Sequence, residues 1–137
     1  MSEREDRNQR IIDEFRANGG VVGGPFEGMT ILLLHHEGAR TGTKRVNPLA
    51  YREEDGRLFV FASMGGAPTN PDWYHNLRAH PEVEVEVGTD RFPAVATVLE
   101  GDERDRIWAH QKADRPQFAD YEARTERVIP VIALDRA

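Results

Sequence analysis

Two short stretches carry residue types from which chemistry can be built. Arg40-Thr41-Gly42-Thr43-Lys44-Arg45 sets three cations and two hydroxyls around a glycine, a set suited to holding a phosphate or carboxylates. Ala62-Ser63-Met64-Gly65-Gly66 ends an apolar run with a hydroxyl beside two glycines, where a flat ring can approach the backbone. Asn70-Pro71, followed by Trp73, Tyr74 and Asn76, opens a helix whose first N–H groups point outward. Together they suit one small, planar, phosphorylated ligand. Other chemistries lack their residues. With no cysteine there is no thiol nucleophile, thiolate zinc site or iron–sulfur cluster. Neither serine, Ser2 or Ser63, lies in a Gly-x-Ser-x-Gly elbow. None of His35, His36, His75, His80 and His110 stands at metal-binding helical spacing, and His35 and His36, adjacent on a strand, face opposite ways. Gly38, Gly42 and Lys44 lack the P-loop spacing and join two strands.

Charge distribution agrees with a small anionic ligand. The 137 residues include 18 basic and 24 acidic side chains, a formal charge of −6. Residues 38–52 hold Arg40, Lys44, Arg45 and Arg52 with no acidic residue, which leaves 14 basic against 24 acidic elsewhere. An acidic chain repels nucleic acid, and the window lacks the aromatics of a single-strand groove. The plain alternative is a solvated hairpin loop with ordinary surface charge. A hydrophobic content of 39% supports one packed core. Residues 31–34 and 128–134 are the longest apolar runs, far short of the ~20 needed to cross a bilayer. A polar N-terminus without an apolar h-region, and no cysteine, point to a cytoplasmic setting.

The elements that must position these residues are legible from periodicity. Residues 3–17 read as a helix with Ile11, Ile12 and Phe15 on one stripe, expected to pack on the body, with membrane contact the weaker alternative. Gly19, Gly20, Gly23 and Gly24 follow in a connection expected to be flexible. Strands are expected at 29–36, 45–52, 57–63, 82–87, 91–99 and 128–134, the second and third joined by an Asp55-Gly56 turn. Asn70 should cap the helix that ends before Pro81. Glu82, Glu84 and Glu86 should face solvent. A helix over 101–112 is followed by one carrying Phe118 and Tyr121. Pro48, Pro93 and Pro130 within strands imply edges or bulges, hence an incompletely closed antiparallel barrel with helices at its gap.

Taken in order, the segments resemble the deazaflavin-dependent nitroreductase family, which uses coenzyme F420. The resemblance rests on Arg40-Thr41-Gly42, on Arg45-Val46-Asn47-Pro48-Leu49, on Ala62-Ser63 with Gly65-Gly66, and on Asn70-Pro71 with Trp73-Tyr74 and Asn76-Leu77. Pro81, Val83 and Val85 continue it, as do Thr125, Arg127, Ile129, Pro130 and Val131. It implies an α+β fold, a six-stranded antiparallel split β-barrel of the FMN-binding type with flanking helices, forming a single domain over 1–137 with 1–20 as N-terminal helix and linker. It also implies that Arg40, Thr41, Gly42, Thr43, Lys44 and Arg45 hold the phosphate and glutamates of the F420 tail, joined by Asn47 and Pro48. Ala62, Ser63, Met64, Gly65, Gly66, Trp73, Tyr74 and Asn76 would then hold the ring. The implied reaction moves hydride from reduced F420 to an electron-poor small molecule: a quinone, an enone or enoate, or a nitroaromatic. Nitroreductase-like members carry tyrosines over the ring where this chain has Ala50, Arg115 and Phe118, keeping only Tyr121, and Met64 stands where a lysine occurs. Quinone or enone reduction is therefore favoured, with Tyr121 as proton donor or substrate orienter and Ser63 as a hydrogen-bonding partner. An FMN-using split barrel and a non-catalytic F420 carrier stay open, as does the choice between monomer and homodimer.

Overall fold

A computed structural model of the chain describes residues 3–23 and 29–137. Ser2 and Gly24, which figure in the sequence reading, lie outside the described residues. The order is α1 (Glu3–Ala17), β1 (Ile31–Glu37), β2 (Lys44–Glu54), β3 (Arg57–Phe61), a 3-10 turn (Met64–Gly66), α2 (Asp72–Ala79), β4 (Glu82–Val87), β5 (Asp90–Val98), α3 (Gly101–Asp114), α4 (Gln117–Ala123) and β6 (Val131–Arg136). All strand pairs are antiparallel, in the ring β1-β2-β3-β6-β5-β4. The barrel is closed, not gapped as expected, because Leu33, Leu34 and His35 of β1 pair with Glu86, Val85 and Glu84 of β4.

Period-2 alternation builds the interior. Leu32 and Leu34, Leu58 and Val60, Val83 and Val85, Phe92 and Ala94, and Ile132 and Leu134 point inward from five strands as one cluster. Trp73, Tyr74 and Leu77 of α2 join that cluster, so this helix closes the barrel interior instead of filling a side gap. The outer faces are covered too. Ile11, Ile12 and Phe15 of α1 pack on Ile31 and Leu33, while α3 and α4 bring Ile107, Trp108 and Phe118 onto Phe59, Phe61, Val131 and Ala133. Burial on both faces explains why residues 31–34 and 131–134 are apolar without alternation.

Several expectations need correction. Pro48 and Pro93 sit in interior strands, not on edges. Each precedes the point where its strand gains a second neighbour, β2 pairing with β3 only from Tyr51 and β5 with β6 only from Ala94. No second ladder asks for the N–H that proline lacks. Pro130 precedes β6, and its carbonyl accepts Ala62 N–H at 3.0 Å. The third expected strand stops at Phe61, leaving Ser63 in a turn. The glycine connection is tied down where described: Gly20 N–H donates to Phe15 O at 2.8 Å, and Gly20 backs onto Gly88 so closely that a Cβ would lie 2.8 Å from its Cα. Glu86 is not solvated, since its carboxylate receives Arg16 at 2.8 Å and His35 at 2.5 Å. Those hydrogen bonds, the Arg16 one foremost, hold its carboxyl below the usual range despite burial.

Candidate functional site

The β1–β2 hairpin places the cationic stretch at one end of the barrel. Gly38 and Thr43 close it, Gly38 N–H donating to Thr43 O at 2.9 Å, and the Thr41 hydroxyl bonds Thr43 Oγ1 at 2.9 Å. Arg40, Thr41, Gly42, Thr43, Lys44 and Arg45 are all exposed. Among the described residues no carboxylate pairs with Arg40, Lys44 or Arg45. Arg52, the fourth cation of the window, is different. It bonds Glu54 and, at 2.7 Å, Asp114, so its charge is neutralised within the fold. The surface offers three uncompensated cations where the sequence counts four. A Cβ on Gly42 would meet nothing within 4 Å, so its backbone is open to a ligand.

A buried polar chain fixes this loop to α2. Ala39 N–H donates to Asn76 Oδ1 at 2.9 Å, which forces Asn76 Nδ2 toward His36 Nδ1, 3.0 Å away. A backbone N–H can only donate, so the amide orientation is set. His36 Nδ1 must then accept, and its proton sits on Nε2, donating to Asn47 Oδ1 at 2.7 Å. Burial holds the imidazole below its ordinary value, and Arg45 pushes the same way. Asn47 and Asn76, expected at the ligand, thus use these atoms to position the loop. Pro48 is buried, and Trp73 and Tyr74 are packed in the barrel cluster.

The Ser63 turn is built with backbone strain. Met64 takes φ +47°, followed by Gly65 at +63° and Gly66 at +85°. A non-glycine residue in this left-handed region costs of order 1–2 kcal/mol, a cost that persists where the surroundings enforce it. Here the enforcement is visible. Arg127 donates to Ser63 O at 3.0 Å, to Ala67 O at 2.9 Å and to Asn70 Oδ1 at 2.6 Å, clamping the segment from behind. Asn70 therefore receives Arg127 and does not cap α2, whose N-cap is Pro71. Burial lowers the basicity of Arg127, and all three of its partners are neutral, so a further positive charge stands behind the turn. Gly66 lies against α4, where a Cβ would meet Tyr121 O at 2.7 Å, whereas Gly65 faces open space. Tyr121 thereby sits on the turn, its ring edge-on to Phe118 at 5.3 Å. Ser63 is buried, Ala62 fully so, and Met64 is exposed. The Ser63 hydroxyl has no hydrogen-bond partner among the described residues.

Two clefts open on the surface, and neither is lined by the Ser63 turn or by Tyr121. One of about 530 Å³ includes Lys44 and Arg45; another of about 320 Å³ includes Ala50 and Arg115. The structure brings the cationic loop onto α2 through Asn76, and Ser63 onto Tyr121 through Gly66. Sequence reasoning did not assign the roles of Arg127 and His36. For Arg127 the only signal was its place in the family resemblance; for His36 there was none beyond the strand pattern.

The family model described as F420H(2)-dependent quinone reductase matches residues 7–136. An F420H(2)-dependent quinone reductase of Mycobacterium tuberculosis is 38% identical over 128 residues, covering 89% of this chain and 85% of that protein. A solved structure of an F420-H2 dependent reductase, FDR-A, is 40% identical with TM-score 0.70, over 77% of this chain and 93% of that one. Another, described as a domain-swapped dimer, is 34% identical with TM-score 0.72 over 96% of both chains.

Proposed function

Since the chain belongs to the F420H(2)-dependent quinone reductase family, we propose that it is an oxidoreductase reducing quinones and related conjugated carbonyl compounds with reduced F420. The observation that carries this reading onto the present residues is the trio Arg40, Lys44 and Arg45, exposed and without carboxylate partners among the described residues of an acidic protein. Such a trio fits a tail bearing a phosphate and carboxylates. Arg40 through Arg45 hold the tail, with Asn47 and Pro48 as support; Ala62 through Gly66 frame the ring, with Trp73, Tyr74 and Asn76 of α2 as buried support. Bound in its reduced state, F420 supplies a hydride, because carbon stands where a flavin has nitrogen.

The chain's own contribution is position and charge. His36, Asn47 and Asn76 fix the cationic loop, and Arg127 fixes the Ser63 turn. The unpartnered Ser63 hydroxyl is available to hydrogen-bond ring or acceptor, and Tyr121 Oη is the proposed proton donor. Titration with oxidised F420 against FMN tests the cofactor: tighter F420 binding supports the reading, and preferential FMN binding replaces it. Menadione-dependent oxidation of reduced F420 tests the activity, and binding without turnover would leave a carrier.

The described residues act as one domain with α1 included, in a cytoplasmic setting. No helix among them is long and apolar enough to cross a membrane, and the α1 stripe that a peripheral membrane contact would use is buried against the barrel. Homodimerisation is favoured by the structural relative described as a domain-swapped dimer, and sedimentation equilibrium tests it.

A further inference from the structure

The cleft between β2 and the end of α3 contains a polar side chain with nothing to bind. Gln111 is 4% exposed and lines the 320 Å³ cleft, yet its carboxamide has no partner among the described residues. Its backbone carbonyl is already engaged, accepting Arg115 N–H at 2.8 Å. Its amide atoms are not sealed in the core, so the carboxamide opens on the cleft, where a guest or water completes its hydrogen bonds.

We propose that this cleft seats the acceptor and that Gln111 Nε2 donates to one of its carbonyl oxygens, making Gln111 a specificity-determining residue. The proposal rests on the quinone-reductase reading above. Three observations carry it. The volume lies at the lower end of small-molecule pockets, about 300–1,000 Å³, which suits a one- or two-ring quinone. The cleft wall sets two cations, Arg52 and Arg115, against two carboxylates, Glu53 and Asp114, so it favours a neutral polar guest where the 40–45 loop favours an anion. Finally, β2 runs unbroken from Lys44 and Arg45 to Ala50 in the cleft wall. Five extended residues span roughly 17 Å, enough to put a phosphate at one end and the reacting rings at the other.

The chemistry gives the amide a task. A quinone takes up a hydride and one proton, the pair that oxidation of reduced F420 releases, and becomes the hydroquinone. Hydride arrival leaves negative charge on a quinone oxygen before that proton is added, and a donor already aimed there stabilises it.

Gln111→Leu keeps length and removes the donor, while Gln111→Glu keeps shape and replaces the donor with an acceptor. Equilibrium dialysis with menadione, which needs no cofactor, should give a dissociation constant raised about tenfold in both variants. Binding of 2-methylnaphthalene, which lacks the carbonyls, should be unchanged in the leucine variant. kcat/KM for menadione should fall by a similar factor with F420 affinity unaltered. Unchanged menadione binding in the leucine variant, equal weakening of 2-methylnaphthalene, or a parallel loss of F420 affinity would each overturn the proposal. Wild-type protein that binds menadione but never oxidises reduced F420 would defeat the quinone-reductase reading while leaving the binding result for Gln111 intact.

Discussion

His36 is a histidine kept neutral by what surrounds it. Its proton is committed to Asn47 and its other nitrogen to Asn76, so protonation would set a donor against a donor. Because the folded value lies below the ~6.5 of a free histidine, the unfolded chain binds a proton that the native state does not. Stability contributed by this group is present above about pH 6.5 and declines as pH falls below it. The depressed carboxyls of Glu54, Glu86, Glu122 and Asp135 act lower, their contribution being lost as pH falls through their folded values, below the 4.5 or 3.8 of the free groups. Urea midpoints should therefore drop between pH 7.5 and 5.5, and less so in His36→Gln; identical drops would remove His36 as the cause. Lys44, exposed and without a carboxylate partner among the described residues, makes a cleaner charge test. Lys44→Glu should weaken F420 binding by about 1.5–3 kcal/mol, ten- to a hundredfold or more, without changing stability. Calorimetric titration reads it, and unchanged affinity would take Lys44 out of the tail site. Tyr121→Phe keeps the ring that packs on Phe118 and removes only Oη, so turnover should fall while F420 affinity holds; full turnover would end its role as acid.

The Ser63 turn shows how an element is imposed by its neighbours. Nothing in Ala62-Ser63-Met64-Gly65-Gly66 announces three successive left-handed residues; Arg127 from behind and α4 from the side make them. Gly66→Ala would bring a methyl 2.7 Å from Tyr121 O at φ +85°, so a loss of roughly 2–4 kcal/mol is expected together with weaker F420 binding. Thermal unfolding and a cofactor titration on the same variant check it, and a stable variant with full affinity would mean that the turn can relax. Strand and helix positions were legible to within a few residues because alternation and helical stripes follow from which faces are buried. The Asn70 cap was misread for a different reason: Arg127, 57 residues away in sequence, claims the same oxygen.

At the scale of the whole molecule, α1 belongs to the fold. Phe15 is 1% exposed against the outer face of β1, and Arg16 reaches Glu86 on β4. Phe15→Ala should cost ~3–5 kcal/mol, as for other fully buried aromatic residues. Chemical denaturation measures it; a change under 1 kcal/mol would make the helix a dispensable appendage. The same packing withdraws the stripe from any membrane.

The sequence by itself determined the antiparallel six-strand plan, the cationic loop and the residues that resemble an F420 site, because periodicity, turn chemistry and local charge are properties of neighbours along the chain. Closure of the ring, the neutralisation of Arg52 by Asp114, the clamp of Arg127 and the unpaired amide of Gln111 were decided only by tertiary structure. Each depends on a partner, or on the lack of one, fixed by how distant segments pack. Hydrogen bonds and ion pairs are short-ranged, so the side chain across the gap decides what a residue has left to offer a ligand.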